Sequence, residues 1–290
     1  MTALALLNPH AGKTAGLTEP LRAVLGNTPL ITTNSGAEAR ARLLALPPRQ
    51  RVIVVGGDGT LQPLLGALRE REHELALLPM GSGNDLARAL GLRGRPWSGL
   101  IPLLKNGPAT AMDLGELQIE GRGTAYFASS LGVGFDATVG QRVQSSNLRL
   151  RGQLRYLAAT FAALGGFKPW RVEVSLDDGP VQAAHYLLAS CLNTPTYGAG
   201  MRAAPGALID DGRLQFLGAR GWGKFTAPIA LPLMLAGLHR GLPGIDLISF
   251  QRARYQAAEP LPLLLDGEPT SPAAQFAVSV RPKALRVVRG

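Results

Sequence analysis

The chain has 290 residues, of which 46% are apolar and 6% aromatic, and a formal net charge of +10. That length suits one large domain or two ordinary ones around a substantial core. The single cysteine, Cys191, cannot form an internal disulfide, so nothing points to an oxidising compartment. The positive balance favours anionic partners such as nucleotides, nucleic acid or acidic lipid surfaces. No zinc-finger spacing, RNP signature or dense Lys/Arg block singles out nucleic acid, and none is expected as a partner. The N-terminus lacks the basic and long apolar regions of a secretory leader. The longest apolar run, 225–238, is shorter than the roughly 20 residues a spanning helix needs. It also carries Pro228 and Pro232, so it reads as buried or interfacial.

In chain order, short apolar runs at 3–7, 30–32, 52–55 and 75–78 read as buried strands. Between and after them, 17–25, 37–46, 61–69 and 85–90 read as helices. This rhythm implies βα units and a parallel sheet covered on both faces. After Asp113 strand-like segments follow one another: "DLGELQIE", "GTAYFASSL", "RVEVSL", "AHYLLASCLN", "GRLQFLG", "LPLLL" and "FAVSV". The exceptions are 153–164 and the proline-interrupted segment near Pro232. The expected organisation is an α/β domain over 1–113 and a β-rich domain over 114–290.

Three strand-to-loop junctions in the first domain carry unusual chemistry. In "LLNPHAGKT", Gly12, Lys13 and Thr14 invite a Walker reading, but Leu7 stands where that motif needs glycine. An ordinary turn explains Asn8, Pro9 and Gly12 equally well. In "VIVVGGDGTLQPLLGAL" a buried strand meets a glycine corner and then a helix, a natural phosphate cradle. Thr60 suits a helix N-cap there, and Pro63 is tolerable in a first helical turn. In "LALLPMGSGNDLARAL", Ser82 and Asp85 have capping-box spacing. Two glycine loops leaving parallel strands belong to the carboxyl edge of one sheet, where open α/β sheets bind ligands. Neither loop spells G-x-G-x-x-G, which disfavours dinucleotide oxidoreduction.

Asp58 places a carboxylate where phosphate should sit. That arrangement makes sense if a divalent cation lies between them, or if the carboxylate handles a substrate proton; both belong to phosphoryl transfer. Further carboxylates stand at turns in the second half. Asp210 and Asp211 in "LIDDGRL" would suit a hard cation or a plain turn. Asp266 and Glu268 in "LPLLLDGEP" end an apolar strand, where a base could assist an attacking hydroxyl. The histidines show no metal spacing and are assigned nothing, while Cys191 reads as a small core residue. The basic amphipathic stretch 147–167 reads either as a helix lying on an anionic bilayer or as a cover for the protein's own core.

These motifs, in this order, resemble the bacterial lipid kinases of the diacylglycerol kinase catalytic-domain family, related to sphingosine kinases and more distantly to NAD kinases. The resemblance runs over nearly the whole chain, through "NPHAG", "GGDGT", "PMGSGNDLAR", "MDLGEL", "FASSLGVGFDA", "YGAGMRAAPGALIDDGRLQ" and "LDGE". The later elements favour the lipid branch, particularly the YegS-like subgroup. It implies a Rossmann-like nucleotide-binding domain and a sandwich-like domain, with ATP between them. By resemblance, Asn8, Pro9, His10, Ala11 and Gly12, then Thr32, then Gly57, Asp58, Gly59, Thr60, Leu61, Gln62 and Pro63, and finally Ser82 contact ATP. Thr32 is preferred over Thr33 because it precedes Gly36 by four. A regulatory or structural Mg²⁺ would sit in the loop of Leu208, Asp211 and Arg213, the first and last through backbone carbonyls. Glu268 would accept the hydroxyl proton, assisted by Asp58 or Asp266, while Asp85 and Asp113 support nucleotide, metal or lipid head. Gln62 and Pro63 depart from the family's usual Asn-Glu, Ser82 stands for a frequent threonine and Ser129 for a frequent asparagine.

The resemblance therefore implies an ATP- and Mg²⁺-dependent kinase acting on a glycerolipid hydroxyl, cytoplasmic and peripherally attached to anionic membrane. Asp58→Ala and Glu268→Gln are each expected to abolish transfer while leaving the fold intact. The rival readings are a soluble-substrate kinase of NAD kinase type and a non-catalytic nucleotide- or membrane-binding module. The sequence is silent on oligomeric state and leaves a homodimer open.

Overall fold

Four apolar runs of the N-terminal region form parallel strands: β1 (Ala3–Leu7), β2 (Leu30–Thr32), β3 (Arg51–Gly56) and β4 (Glu74–Pro79). The computed structural model describes residues 3–9, 14, 16–81, 83–145, 158–160, 162, 163, 165, 169–198, 200–223 and 226–290. The chain divides into two compact units, Met1–Met112 with Lys283–Gly290, and Asp113–Pro282.

In the first unit β1 lies between β2 and β3, with Leu7 paired to Thr32 on one side and to Val55 on the other. β4 follows β3, and Arg286 and Val287 add in parallel to Glu74 and Leu75. Every residue of β3 is buried, as a strand covered on both faces requires. Helices α1 (Thr18–Leu25) and α2 (Gly36–Ala45) complete the first crossovers. Ser35 caps α2, its Oγ accepting from the Glu38 amide at 3.1 Å. After β3 the chain is helical from α3 (Asp58–Leu61) through a 3₁₀ turn at Gln62–Leu64 to α4 (Leu65–Glu70). Pro63 tightens this segment but does not end it, because its missing N–H falls within the first turns. α5 (Asp85–Ala89) follows β4, and α6 (Trp97–Asn106) was not expected from the sequence.

The C-terminal strand is fastened to β4 by charge. Glu74 accepts from Arg51 at 2.7 Å and from Arg286 at 3.1 Å. Burial alone would raise the Glu74 carboxyl, but the hydrogen bonds and charges of these two arginines outweigh it and hold it below its ordinary value.

The second unit is β-rich. Its strands are β5 (Ala109–Ile119), which begins in the first unit, β6 (Gly123–Phe127), β7 (Ser130–Val133), β8 (Trp170–Leu176), β9 (Gln182–Leu192), β10 (Leu214–Arg220), β11 (Ile245–Phe250), β12 (Arg252–Leu265) and β13 (Glu268–Val288). β9 and β12 are long enough to pair with β8 at one end and β7 at the other, all antiparallel. The core between them holds Phe127, Tyr186, Phe216, Tyr255 and Phe276. Tyr255 stacks on Phe276 with ring centres 4.5 Å apart. Cys191 is fully buried within it, its sulfur 3.0 Å from the Tyr255 hydroxyl. The unit also contains α7 (Phe135–Ser145), absent from the sequence reading, and α8 (Ala227–Ala236) at the proline-interrupted segment. The expected helix 153–164 falls largely outside the described residues. Among the described residues no helix is long and apolar enough to cross a membrane.

Candidate functional site

The order β2-β1-β3-β4 creates a switch point. From β1 the chain goes to one side and then crosses back to the other, so the loops after β1 and β3 leave its carboxyl edge in opposite directions. Crevices at such points bind ligands. Asn8 and Pro9 leave β1 there, and the Asn8 carbonyl accepts the Thr14 hydroxyl. His10, Ala11, Gly12 and Ser82 lie outside the described residues.

The glycines after β3 and β4 are packed against each other. A Cβ on Gly57 would lie 2.8 Å from the Gly81 Cα, and one on Gly81 2.7 Å from the Gly57 Cα. Real Cβ atoms do not approach that closely, so the two loops meet only because both positions are glycine. Asp58 then joins them. Its carboxylate accepts the Asp85 amide at 3.1 Å and the Leu86 amide at 3.4 Å, so it caps α5 from the neighbouring loop. This corrects two sequence expectations: Gly57, not Thr60, occupies the N-cap of α3, and α5 is capped from outside its own loop, with left-handed Asn84 at its N-cap position. The amides of Thr60 and Leu61 are spent on the Gly57 carbonyl, and the Leu61 side chain is buried. Pro63 packs toward Gly36, whose Cβ would meet its ring at 2.9 Å.

Burial lowers the pKa of Arg88 and Arg93 adds to the fall, while Asp85 and Asp58 oppose both. The glycine corner therefore tolerates its carboxylate because two amides and a nearby guanidinium offset the charge. Two buried polar atoms at these loops have no partner. One is the hydroxyl of Thr33, 1% exposed, and the other Oδ1 of Asn84. Thr33 donates its amide to Leu7 at the end of β1, while Thr32 is exposed. Sequence spacing singled out Thr32; only the strand's facing shows Thr33 turned inward. The free Thr33 hydroxyl can donate to a polyanionic ligand, whereas Asn84 Oδ1, an acceptor only, suits ordered water.

In the second unit the carboxylates are engaged by backbone. Asp266 is 7% exposed and accepts three amides, Ala128 and Ser129 at 2.7 Å and Ser130 at 2.9 Å. These are the residues where the chain breaks between β6 and β7. Asp266 and Gly267 both have positive φ and close a two-residue hairpin in which Leu265 pairs with Glu268. Glu268 is thus fixed as the first residue of β13, half-buried. Asp113 is fully buried, and its carboxylate takes the Gly212 amide at 2.6 Å.

That bond shapes the loop of Leu208, Asp211 and Arg213. Asp211 Oδ1 accepts the Arg213 amide at 2.9 Å, and the Arg213 guanidinium is drawn away to Ser249 and Asp177. Among the described residues no three His, Cys, Asp or Glu side chains gather as a cation cage. In that loop the donor set for a hard cation is the exposed carboxylates of Asp210 and Asp211 with backbone carbonyls. Such a set fits Mg²⁺, which keeps several waters.

Comparison with known proteins identifies the two halves of the chain. Residues 2–117 match the diacylglycerol kinase catalytic domain, and residues 129–289 match the YegS C-terminal NAD kinase beta sandwich-like domain. A diacylglycerol kinase of Mycobacterium tuberculosis is 30% identical over 82% of this chain and 76% of its own. The Pseudomonas fluorescens protein named "Probable lipid kinase YegS-like" is 34% identical over the same shares. A crystal structure of a diacylglycerol kinase from Bacillus anthracis superposes with a TM-score of 0.69 at 17% identity, covering 100% of this chain and 97% of that one; at that identity it supports the fold alone. The chain belongs to the diacylglycerol kinase catalytic-domain family of lipid kinases, with a YegS-type C-terminal domain.

Proposed function

We propose that the protein transfers the γ-phosphate of ATP, with Mg²⁺, to a free hydroxyl of a glycerolipid such as diacylglycerol or phosphatidylglycerol at an anionic membrane surface. One observation carries the nucleotide part: two glycine loops at the switch point of a parallel sheet, locked together by Asp58. Asn8 to Gly12, Thr32, Gly57 to Pro63 and Ser82 are the proposed nucleotide contacts, and the inward Thr33 hydroxyl joins them. Leu208, Asp211 and Arg213 are the proposed cation ligands, and Asp85 and Asp113 are proposed to support nucleotide, metal or lipid head. Mg²⁺ held in that loop would be regulatory or structural, and Mg²⁺ carried with ATP would neutralise polyphosphate charge.

Glu268 is the proposed base. The acceptor oxygen attacks the γ-phosphorus, the bond to the β-phosphate oxygen breaks, ADP leaves, and the hydroxyl proton passes to the Glu268 carboxylate. Asp266 is better suited to holding the turn that presents Glu268, because its two oxygens already serve three amides. The glycerolipid acceptor is favoured by relatives whose names specify diacylglycerol or lipid.

The test is incubation with labelled ATP and Mg²⁺ against diacylglycerol micelles, total bacterial lipid and NAD. Labelled lipid is expected. Labelled NAD, or ATP binding without transfer to any lipid, overturns the proposal. Glu268→Gln is expected to slow transfer about 10²–10⁴-fold, the usual worth of a positioned base, with the urea midpoint unchanged.

A further inference from the structure

α8 is composed of apolar residues throughout, which in a ten-residue helix marks a segment with no water-facing side of its own. Its described residues run from buried to exposed. Met234 is buried, and Met234 and Leu235 pack into a cluster with Tyr197, Met201, Ala203 and Ala204. Pro232 and Ala236, one turn apart on another face, are exposed. The helix ends at left-handed Gly237, and the Leu238 amide returns to the Leu233 carbonyl at 2.7 Å. That cap delivers Leu238 to the surface 67% exposed, more than any other large apolar side chain described.

The next residue explains why Leu238 stays out. His239 is fully buried, with Nε2 2.9 Å from the Ala203 carbonyl. The helix end is therefore pinned to the loop that carries Arg202, and the outward leucine is held on a fixed support. A Cβ on Gly237 would touch the Arg202 side chain at 3.2 Å. Arg202 and Arg240 are both exposed, and neither has an acidic partner among the described residues. The segment 221–245 contains no Asp or Glu. The neighbouring Asp246 is neutralised by Arg220, which bonds both its oxygens at 2.6 and 2.8 Å.

We infer that the exposed end of α8, with Leu238 at its centre and Arg202 and Arg240 beside it, is the face that docks on an acidic lipid bilayer. An apolar tip rimmed by unpaired cations complements such a surface: the leucine enters the acyl boundary while the guanidinium groups stay at the phosphates. A second copy of this chain would bring the same unpaired cations face to face, which disfavours it as the occupant. The inference names the membrane contact of the proposed lipid kinase and rests on that reading for its purpose, though not for its test.

Leu238→Cys on the full chain allows a direct measurement. The natural Cys191 is buried, and burial pushes its thiol up to about 12, so an environment-sensitive label goes to position 238 alone. The label is expected to shift to the blue on vesicles of mixed phosphatidylglycerol and phosphatidylcholine, and to stay unshifted on phosphatidylcholine alone. In co-sedimentation with the mixed vesicles, Leu238→Glu should bind at least tenfold more weakly. Arg202→Ala and Arg240→Ala should each cost about fivefold. All three should keep wild-type transfer to diacylglycerol in detergent micelles. Wild-type vesicle affinity in Leu238→Glu, or in a variant that combines Arg202→Ala with Arg240→Ala, overturns the inference. So does light scattering that shows Leu238→Glu dissociating a homodimer. Absence of micelle transfer in the wild type would instead strike the kinase reading and leave the vesicle result standing.

Discussion

Replacing Asp266 by alanine separates a structural carboxylate from a catalytic one. The substitution strands three buried amides, those of Ala128, Ser129 and Ser130, and leaves a left-handed backbone at φ 48 without the side chain type that tolerates it. Hydrogen bonds to a charged group are worth about 1.5–3 kcal/mol each, so three sum to about 5–9 kcal/mol. Bonds sharing one carboxylate are not additive, and amides at a broken strand recover some water, so a loss of about 4 kcal/mol is expected. Against a domain stability of about 5–15 kcal/mol, that brings the variant close to unfolding. Asp266→Asn keeps an acceptor for the Ser129 and Ser130 amides but turns its NH₂ toward the Ala128 amide, for a loss of about 2–3 kcal/mol. Urea unfolding followed by circular dichroism reads both midpoints at constant slope. An unchanged midpoint in Asp266→Ala, together with lost transfer, would refute the reasoning and make Asp266 a proton handler.

Three further outcomes are expected. Asp58→Ala should lower stability by about 1–2 kcal/mol through loss of the α5 cap as well as abolishing transfer; an unchanged urea midpoint would sink the cap. Gly81→Ala should cost about 1–3 kcal/mol and weaken ATP binding, since its Cβ would meet Asn84 Oδ1 at 2.6 Å; full affinity at full stability would contradict the close approach of the loops. Asp136 is buried, and burial pushes its carboxyl up to about 7, against bonds from Ser190 and the Ala137 amide. Its contribution is complete below pH 3.8 and is lost as pH rises through about 7, a swing of about 4 kcal/mol. Asp136→Asn should therefore gain on the wild type as pH rises from about 4 to about 7. Burial lowers the pKa of His73 and His239, so they cost stability in the opposite direction, below about pH 6.5. The difference between variant and wild type across one pH series cancels them, and a flat difference would count against a buried acid.

The glycine corners, the DGE turn and the LIDDGRL loop could all be found by reading the chain, because phosphate cradles and tight turns need particular residue types. Their interlocking could not. That Asp58 caps α5, that Asp113 holds Gly212 and that Asp266 gathers three amides are contacts between residues distant in sequence, invisible to spacing. α6 was missed because Gly99 and Pro102 argue against a helix that packing nonetheless stabilises. α7 was missed for a related reason: Gly140 lowers its helix propensity, yet a Cβ there would collide with Leu264 at 2.5 Å. The first half of β12 alternates exposed charge with buried Ala253 and Tyr255, a short period easily lost among arginines.

Local chemistry alone determined the βα rhythm, the β-rich second half and the kinds of group at each corner, because strand burial and turn conformation constrain residue type one position at a time. Tertiary structure decided which carboxylates are held by backbone and where the last strand goes. The C-terminal residues join the first unit because the buried Glu74 carboxylate takes a second guanidinium from Arg286, more than 200 positions away. Such a pairing is selected only when folding brings both charges to one strand edge.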